Sequence, residues 1–212
     1  MNLTLNNVTK ELKKVCVLNN VNLDLTGGNI YGFVGENGSG KTMLFRTVAG
    51  LLRPTAGTVE YDGVNLYDKK SVLPNIGIII ENIGLYPEFS GFKNLKILAS
   101  IRNKIEDDEI KKAIIRVGLD PEDKRTVKKY SLGMRQRLVI AQAIMEAPDI
   151  LVLDEPTNAL DEQGIEQIYN EIRKEKERGA IILIASHSKE DIKSLCDMKY
   201  CVRKGKITEM IE

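Results

Sequence analysis

The feature that most constrains the fold is the stretch of residues 29–50. An apolar segment, residues 29–34, leads into Gly35-Glu36-Asn37-Gly38-Ser39-Gly40-Lys41-Thr42, and a helix-like run to Ala49 follows. This is G-x-x-x-x-G-K-T between a strand and a helix, where glycines let backbone N–H groups turn toward a phosphate. We predict that Lys41 reaches the β- and γ-phosphates and that the Thr42 hydroxyl ligates magnesium. The alternative is a glycine turn with a surface lysine. It does not explain why a strand precedes the glycine-rich segment and a helix follows it.

Composition limits the class of protein. With 212 residues the chain can hold one large domain, or a domain with a subdomain, around a sizeable core. The chain has 31 Lys and Arg residues and 30 Asp and Glu residues, so its net charge is close to zero. The molecule as a whole therefore has no electrostatic field that attracts nucleic acid, and we do not expect nucleic acid as a partner. Three cysteines without metal-ligand spacing indicate free thiols in a reducing compartment. Neither a signal peptide nor an apolar run of roughly 20 residues is recognised, so any membrane role is expected to come through a partner.

The first third of the chain predicts a β-rich layer. Apolar residues alternate with polar ones over residues 3–8 and 15–25, which favours antiparallel strands with one buried face. Asp62-Gly63 between two short apolar runs predicts a tight hairpin. In residues 75–80 every residue after Asn75 is apolar, as in a strand covered on both faces.

A helical insert is predicted next. Helical patterns cover residues 92–102 and 107–117, and no strand-like run occurs between residues 81 and 148. Ser131 and Gly133 stand at the start of a further helix, predicted to run to Ala147. Such a helix start is either a second anion site or a plain cap.

Two later apolar segments end in polar side chains. Residues 149–153 lead to the adjacent carboxylates Asp154 and Glu155, and residues 180–185 lead to His187, the single histidine. In open α/β sheets ligands bind at the carboxyl ends of strands, so we expect these side chains at one sheet edge. Asp154 then holds magnesium and Glu155 orients a water for attack. A solvated acidic turn and a structural histidine are the alternatives.

Taken together, five motifs resemble those of the ATP-binding subunit of an ABC transporter. They are residues 35–42, 131–136, 150–156, 158–161 and His187, in the family's order and spacing over essentially the whole chain. Ser-Leu-Gly-Met at 131–134, with Ile-Glu-Asn before Leu-Tyr-Pro in residues 80–87, is similar to the bacitracin and lantibiotic export group.

The resemblance implies an α/β fold. It implies a P-loop NTPase core with a mainly parallel sheet flanked by helices, an N-terminal antiparallel β subdomain and an inserted helical subdomain. Residues 1–212 would form a single domain. Residues 1–81 and 147–212 would be the core with its β subdomain, and residues 82–146 the helical subdomain that carries the signature motif.

The resemblance also implies ATP hydrolysis with Mg²⁺. Glu155 is expected to be the general base, Lys41 to neutralise charge and His187 to position the γ-phosphate. The expected nucleotide contacts are Gly35, Glu36, Asn37, Gly38, Ser39, Gly40, Lys41, Thr42 and Thr47. Residues 12–17 contain none of the aromatic side chains that the family stacks on adenine, which predicts weaker discrimination between ATP and GTP.

The expected metal ligands are Thr42, Asp154 and Glu81. Glu81 stands where the family usually has glutamine, so it is expected to act either as a direct ligand or as a nearby charge.

Two copies are expected to pack head to tail around two ATP molecules, as a homodimer or as a pair with a related ATPase. The signature residues Ser131, Leu132, Gly133 and Met134 of one copy would then meet the nucleotide of the other, and Asp161 would lie in the adjoining D-loop. The usual signature is Leu-Ser-Gly-Gly-Gln. Here Tyr130, Leu132 and Met134 depart from it while the serine and the second glycine remain, so function is expected to survive.

A separate transmembrane permease is the implied partner, docking on the loop of residues 81–92. The chain would then be cytoplasmic and peripheral on the inner face of the cell membrane, powering the export of a peptide antibiotic or immunity to one. One alternative is a soluble ABC-type ATPase that acts on nucleic acid or ribosomes. Another is an assembly module that binds ATP without useful hydrolysis.

Overall fold

Two β-sheets form the frame of the protein in the computed structural model, which describes residues 1–68, 74–80 and 84–210. The strands of this part of the chain are β1 Asn2–Leu12, β2 Val15–Thr26, β3 Asn29–Val34, β4 Ala56–Tyr61, β5 Val64–Asn65, β6 Ile76–Ile79, β7 Ile150–Asp154, β8 Ile181–Ala185, β9 Met198–Arg203 and β10 Lys206–Glu209. The helices are α1 Lys41–Val48, α2 Gly91–Arg102, α3 Asp107–Arg116, α4 Leu132–Ile144, α5 Glu162–Glu177 and α6 Lys189–Leu195, with a short 3-10 helix, Val127–Lys129.

The first sheet is antiparallel, with the strand order β2-β1-β4-β5. Its alternating apolar residues, such as Leu3 and Leu5, are buried, as the sequence pattern predicts. Asp62 and Gly63 join β4 to β5 with φ values of 48° and 79°. Both residues have positive φ, as a type I′ hairpin turn requires.

The second sheet is mainly parallel, with the strand order β10-β9-β3-β8-β7-β6. Strand β3 pairs in parallel with both β8 and β9, and β7 pairs in parallel with β6 and β8. Ala185, at the end of β8, lies opposite Phe33 on one side and opposite Asp154 on the other. The carboxyl ends of β3, β7 and β8 are therefore level, and the residues that follow them meet at one sheet edge.

Hydrophobic clusters cover both faces of the parallel sheet. Leu151, Leu153 and Ile182 point to the cluster that includes α2, α3, α4 and α5 side chains. Val152 and Leu183, their alternating neighbours, point to the cluster shared with α1 and the antiparallel sheet. Burying each such side chain stabilises the fold by about 1.5–3 kcal/mol. The helical insert thus packs on one face of the sheet and the β-layer on the other.

Local sequence signals place the helix ends. Helix α2 begins after Ser90, whose side chain accepts a hydrogen bond from Lys93 N, and α3 begins with a capping box between Glu106 and Glu109. The predicted extension of α4 to Ala147 is wrong, because the helix ends at Ile144. Ala147 has a φ of 48°, and the position before a proline disfavours helical backbone.

The predicted α/β fold class is confirmed, with an N-terminal antiparallel sheet and a mainly parallel sheet flanked by helices. The division of the chain into core and helical subdomain at residues 81 and 147 stays a prediction. Among the described residues, none of the helices combines the length and apolar character needed to cross a bilayer.

Candidate nucleotide site

The loop that follows β3 is shaped by glycine. Gly40, at the N-cap of α1, has a φ of 119°, and a Cβ atom there would lie 2.8 Å from the carbonyl oxygen of Val17. Only glycine combines this backbone conformation with so close an approach. Helix α1 has no side-chain hydrogen bond at its N-cap, so the N–H groups of its first turn remain available to an anion.

Lys41 is held over this loop. Its side chain is buried, and Nζ donates to the carbonyl oxygens of Gly35 and Glu36 at 2.6 and 3.2 Å. An ammonium group has three donors, so these two bonds fix its position and leave one donor for a phosphate oxygen.

The hydroxyl of Ser39 indicates whether a phosphate group fits this loop. The residue is 8% exposed and lines the cleft, and within the described part of the chain its hydroxyl oxygen has no hydrogen-bond partner. A buried hydroxyl without a partner costs about 1–3 kcal/mol. A phosphate oxygen in the cleft would remove that cost, so the loop fits the triphosphate that the sequence predicts.

Thr42 and Asp154 bring two oxygen ligands together. Thr42 Oγ1 lies 3.4 Å from Asp154 Oδ2 at the wall of the cleft. Mg²⁺ prefers such hard oxygen ligands and takes its remaining ligands from water and substrate phosphates. In the described ranges, no group of three or more His, Cys, Asp or Glu is arranged to hold a metal ion. Glu81, the third predicted ligand, lies outside the described residues.

Glu155 has a strained backbone that the sheet edge supports. Its φ is 52°, in the left-handed region that non-glycine residues rarely adopt, and its N–H donates to Ala185 O at 2.8 Å. The carboxylate accepts a hydrogen bond from His187 N to Oε1 at 2.9 Å. Together these bonds direct the side chain toward the cleft.

Burial raises the pKa of the Glu155 carboxyl above its usual value. His187 and its N–H hydrogen bond lower this pKa, and the charges of Asp154 and Asp191 raise it. The net direction is upward, which suits a carboxylate that accepts a proton during catalysis.

His187 joins the phosphate loop to the acidic pair. Its Nε2 lies 3.0 Å from Asn37 Oδ1 and 3.7 Å from Glu155 Oε1. The imidazole is 56% exposed, so it remains accessible to a ligand in the cleft. The structure therefore brings Lys41, Asp154, Glu155 and His187 to one edge of the sheet.

The cleft has a volume of about 1050 Å³. The cleft is lined by residues 37–43, by the first turns of α4 and by the aliphatic residues Leu12 and Val17. Asp154, Glu155 and His187, which lie at or after the ends of β7 and β8, also line it. Gly35 and Glu36 do not line the cleft, and they contribute the two carbonyl groups that hold Lys41.

The prediction of Thr47 as a nucleotide contact is corrected by the structure. Thr47 is fully buried in α1, and its hydroxyl donates to Met43 O at 2.8 Å. Its own carbonyl accepts a hydrogen bond from Tyr67 at 2.5 Å. Thr47 thus belongs to the core behind the loop helix, and its side chain does not reach the cleft.

The signature residues lie at the start of α4. Ser131 Oγ accepts a hydrogen bond from Met134 N at 3.1 Å, so this serine is at least a helix cap. Leu132 is 67% exposed, and a Cβ atom on Gly133 would lie 2.9 Å from Ala159 O. Asp161, the predicted D-loop residue, caps α5 through Gly164 N at 2.9 Å. The contact of these residues with a partner's nucleotide stays a prediction.

Sequence reasoning missed two groups beside Glu155. Gln136 Nε2 donates to the carbonyl oxygens of Glu155 and Pro156 at 3.2 and 3.0 Å, which ties α4 to the acidic turn. Asp191 accepts hydrogen bonds from three buried hydroxyls next to the same turn. The one sequence signal for Asp191 is its place in the first turn of the helix after His187, and that place alone indicates an ordinary helix start.

The chain is similar to known proteins over most of its length. A family model described as ABC transporter matches residues 18–158. YybJ of Bacillus subtilis, an uncharacterized ABC transporter ATP-binding protein, is 49% identical over 201 residues, which cover 95% of this chain and 92% of that protein. BcrA of Enterococcus faecalis, a bacitracin transport ATP-binding protein, is 39% identical over 207 residues, which cover 97% of this chain and 67% of BcrA.

The fold is shared with solved structures. A dimeric bacterial ABC transporter cassette, MJ0796, superposes with a TM-score of 0.86 at 21% identity, over 99% of both chains.

Proposed function

The chain belongs to the ABC transporter family, and we propose that it is the subunit that binds and hydrolyses ATP to power a separate membrane-spanning permease. The observation that carries this proposal is the meeting of Lys41, Asp154, Glu155 and His187 around one cleft. Each of these groups has a distinct task in phosphoryl transfer to water.

The reaction is attack by water on the γ-phosphate. Glu155 accepts the proton of that water, and the raised pKa of its carboxyl makes it a stronger base than an exposed glutamate. Lys41 and the N–H groups at the start of α1 donate hydrogen bonds to the phosphate oxygens. These bonds stabilise the negative charge that develops on those oxygens. His187, held by Asn37 and Glu155, positions the γ-phosphate.

Thr42 and Asp154 are the described residues that would hold Mg²⁺. When bound, the ion supplies positive charge that neutralises the β- and γ-phosphate oxygens.

The proposed assembly is a head-to-tail dimer, either of two copies or with a related ATPase, bound to a permease at the inner face of the membrane. The exposed Leu132 beside the cleft supports a contact with a second cassette. Because BcrA is a bacitracin transport protein by name and 39% identical, we propose a role in export of, or immunity to, a peptide antibiotic.

Glu155→Gln tests the proposed chemistry. This variant keeps the shape of the side chain and removes its basicity, so we expect turnover of ATP to fall by about 100-fold or more while the Kd for ATP changes less than twofold. Glu162→Gln, on the exposed first turn of α5, is the matched control and should keep the parental rate. Hydrolysis by Glu155→Gln at the parental rate would remove the assignment of the general base.

A second experiment separates the transporter from a soluble ATPase. The chain is purified from membranes, and the proteins that accompany it are identified by mass spectrometry. Co-purification with a multi-span protein supports the transporter, whereas recovery with ribosomes or nucleic acid contradicts it.

A further inference from the structure

A buried carboxylate lies one hydroxyl away from Glu155. Asp191, in the first turn of α6, is 2% exposed. Three hydroxyls donate to it: Thr157 Oγ1 and Ser186 Oγ to Oδ2 at 2.6 and 2.7 Å, and Tyr169 OH to Oδ1 at 2.6 Å. These distances are those of charge-assisted hydrogen bonds, so a carboxylate is the acceptor that this cluster of three donors requires.

The donors come from the segments that flank the catalytic pair. Thr157 follows Glu155 by two residues, and Ser186 directly precedes His187. Thr157 and Ser186 are 9% and 2% exposed, so water does not replace Asp191 as their acceptor without rearrangement. One carboxylate therefore ties together the chain segments that leave β7 and β8.

The Ser186 hydroxyl stands between two carboxylates. Its oxygen lies 2.7 Å from Asp191 Oδ2 and 3.4 Å from Glu155 Oε2, and it accepts a hydrogen bond from Ser188 N at 3.0 Å. A hydroxyl has one proton to donate, and here the proton goes to the nearer oxygen, that of Asp191. Oε2 of Glu155 then stays free to accept a hydrogen bond from water.

The catalytic turn needs such support. Glu155 has a φ of 52°, and non-glycine residues hold that conformation only where surrounding contacts fix it. We propose that Asp191 is a positioning residue for ATP hydrolysis, which orients Ser186 and Thr157 and thereby fixes the spacing between Glu155 and His187. This inference rests on the proposed function, because the reaction that Asp191 supports is ATP hydrolysis at this cleft.

Asp191→Asn is the first test. Asparagine has the same shape, but an NH₂ group replaces one of the two carboxylate oxygens. This NH₂ group is a donor, so it cannot accept the hydrogen bond of the hydroxyl that faces it. We expect kcat to fall by about tenfold or more, since small displacements of a reacting group are costly. The Kd for ATP should change less than twofold, because the described contacts of Asp191 do not include the phosphate loop.

The single histidine of the chain gives a second, independent readout. With histidine labelled with ¹³C at Cε1 alone, the ring of His187 gives one signal in a ¹H–¹³C spectrum of the nucleotide-free protein. Asp191→Asn should move this signal, because Ser186 loses the acceptor that fixes the chain ahead of His187. Tyr31→Phe is the control: the Tyr31 hydroxyl is buried, accepts from Thr26 N at 2.7 Å and lies on β3 away from the cluster. It should leave both the signal and kcat unchanged, even where it lowers stability.

A matched pair at Thr157 keeps the proposal testable if Asp191→Asn does not fold. Thr157→Ser keeps the hydroxyl and should retain kcat within about twofold, whereas Thr157→Val keeps the shape without the hydroxyl and should lower kcat by about fivefold or more. Equal kcat values for the valine and serine variants, or an unmoved His187 signal in folded Asp191→Asn, would overturn the inference. If the parental protein does not hydrolyse ATP at all, the proposed function fails, and the histidine signal still decides whether Asp191 positions His187.

Discussion

Leu12 and Val17 are the aliphatic residues that line the cleft from the β-layer. They offer apolar contact but no aromatic face, and stacking of a base on an aromatic ring contributes about 1–3 kcal/mol. We therefore expect the Kd values of ATP and GTP to agree within about threefold. Leu12→Tyr should tighten ATP binding by about fivefold or more, as measured by fluorescent nucleotide competition.

Val15→Tyr is the control for this substitution. Val15 lies at the start of β2 in the same hairpin, is 61% exposed and does not line the cleft. A tyrosine there should leave nucleotide binding unchanged. A parental protein that binds ATP more than tenfold tighter than GTP would contradict the expectation.

At the residue scale, the sequence predicted the polar side chains that directly follow buried strands. Asp154, Glu155 and His187 meet because parallel strands end at a common edge, which is a general property of such sheets. The prediction for Thr47 was wrong because neither the motif nor the helical periodicity shows whether a side chain on α1 faces the ligand or the core. Asp191 was missed because its three partners come from separate segments of the chain, which only the folded structure brings together.

At the element scale, Gly133 fixes how closely α4 approaches the loop before α5. A Cβ atom there would lie 2.9 Å from Ala159 O, and Ala159 itself has a φ of 66°. Gly133→Ala should therefore displace the turn of residues 158–161 and lower the free energy of unfolding by about 1–3 kcal/mol. Urea denaturation measures the loss. The same stability as the parent would show that this turn accommodates a methyl group without strain.

Helices α3 and α5 are joined by a mostly buried ion-pair network. Arg116 Nε and Nη2 lie 2.6 Å from the carboxylates of Glu171 and Glu175, which are 4% and 3% exposed. Arg116→Met leaves both carboxylates without this partner, and we expect a loss of about 2–3 kcal/mol in the free energy of unfolding. The loss is smaller than for a fully buried pair because the Arg116 side chain is 30% exposed.

The surface pair of Arg173 and Glu166 provides the comparison. Its charged atoms lie 3.5 Å apart, and both side chains are exposed. Arg173→Met should cost less than about 0.5 kcal/mol, because solvent screens such a pair. Equal losses for Arg116→Met and Arg173→Met in urea titrations would mean that burial of the network adds nothing to stability.

Local sequence patterns predict most of the helices and strands, but they do not predict how these elements are arranged in space. Alternation predicted β1 and β2, the Asp62-Gly63 pair predicted the β4–β5 turn, and acidic residues at its start predicted α3. The central place of β3 between β8 and β9 comes from packing of the complete sheet, which no local pattern encodes. The end of α4 at Ile144 was misjudged by three residues, because Pro148 sets only the last position that the helix could reach and the helix ends before it.

At the scale of the whole molecule, the proposed dimer can be tested through Leu132. This leucine is 67% exposed at the edge of the cleft, where a second cassette is expected to contact it. Glu155→Gln should double its mass in light scattering when ATP and Mg²⁺ are added, because the nucleotide is retained. Adding Leu132→Glu should abolish the dimer, since a charge buried in an interface is costly, and leave the Kd for ATP of the single chain within about twofold.

Ile101→Glu is the control for a charged substitution at an exposed apolar site. Ile101 lies on α2 and is 75% exposed, and it is not among the residues that line the cleft. This variant should dimerise like the parental Glu155→Gln protein. A dimer that tolerates Leu132→Glu, or that forms without nucleotide, would speak against the head-to-tail arrangement.

The position of β3 has a consequence for translation. The strand that carries the phosphate loop is residues 29–34, yet both of its hydrogen-bonded neighbours are made from residues 181–203. A nascent chain therefore exposes its glycine loop early but gains the flanking strands that order it only after residues 181–203 have been made, by closure over a long stretch of sequence. Polypeptides that end before residue 181 should therefore be unable to consume ATP, because the glycine loop lacks the strands that order it.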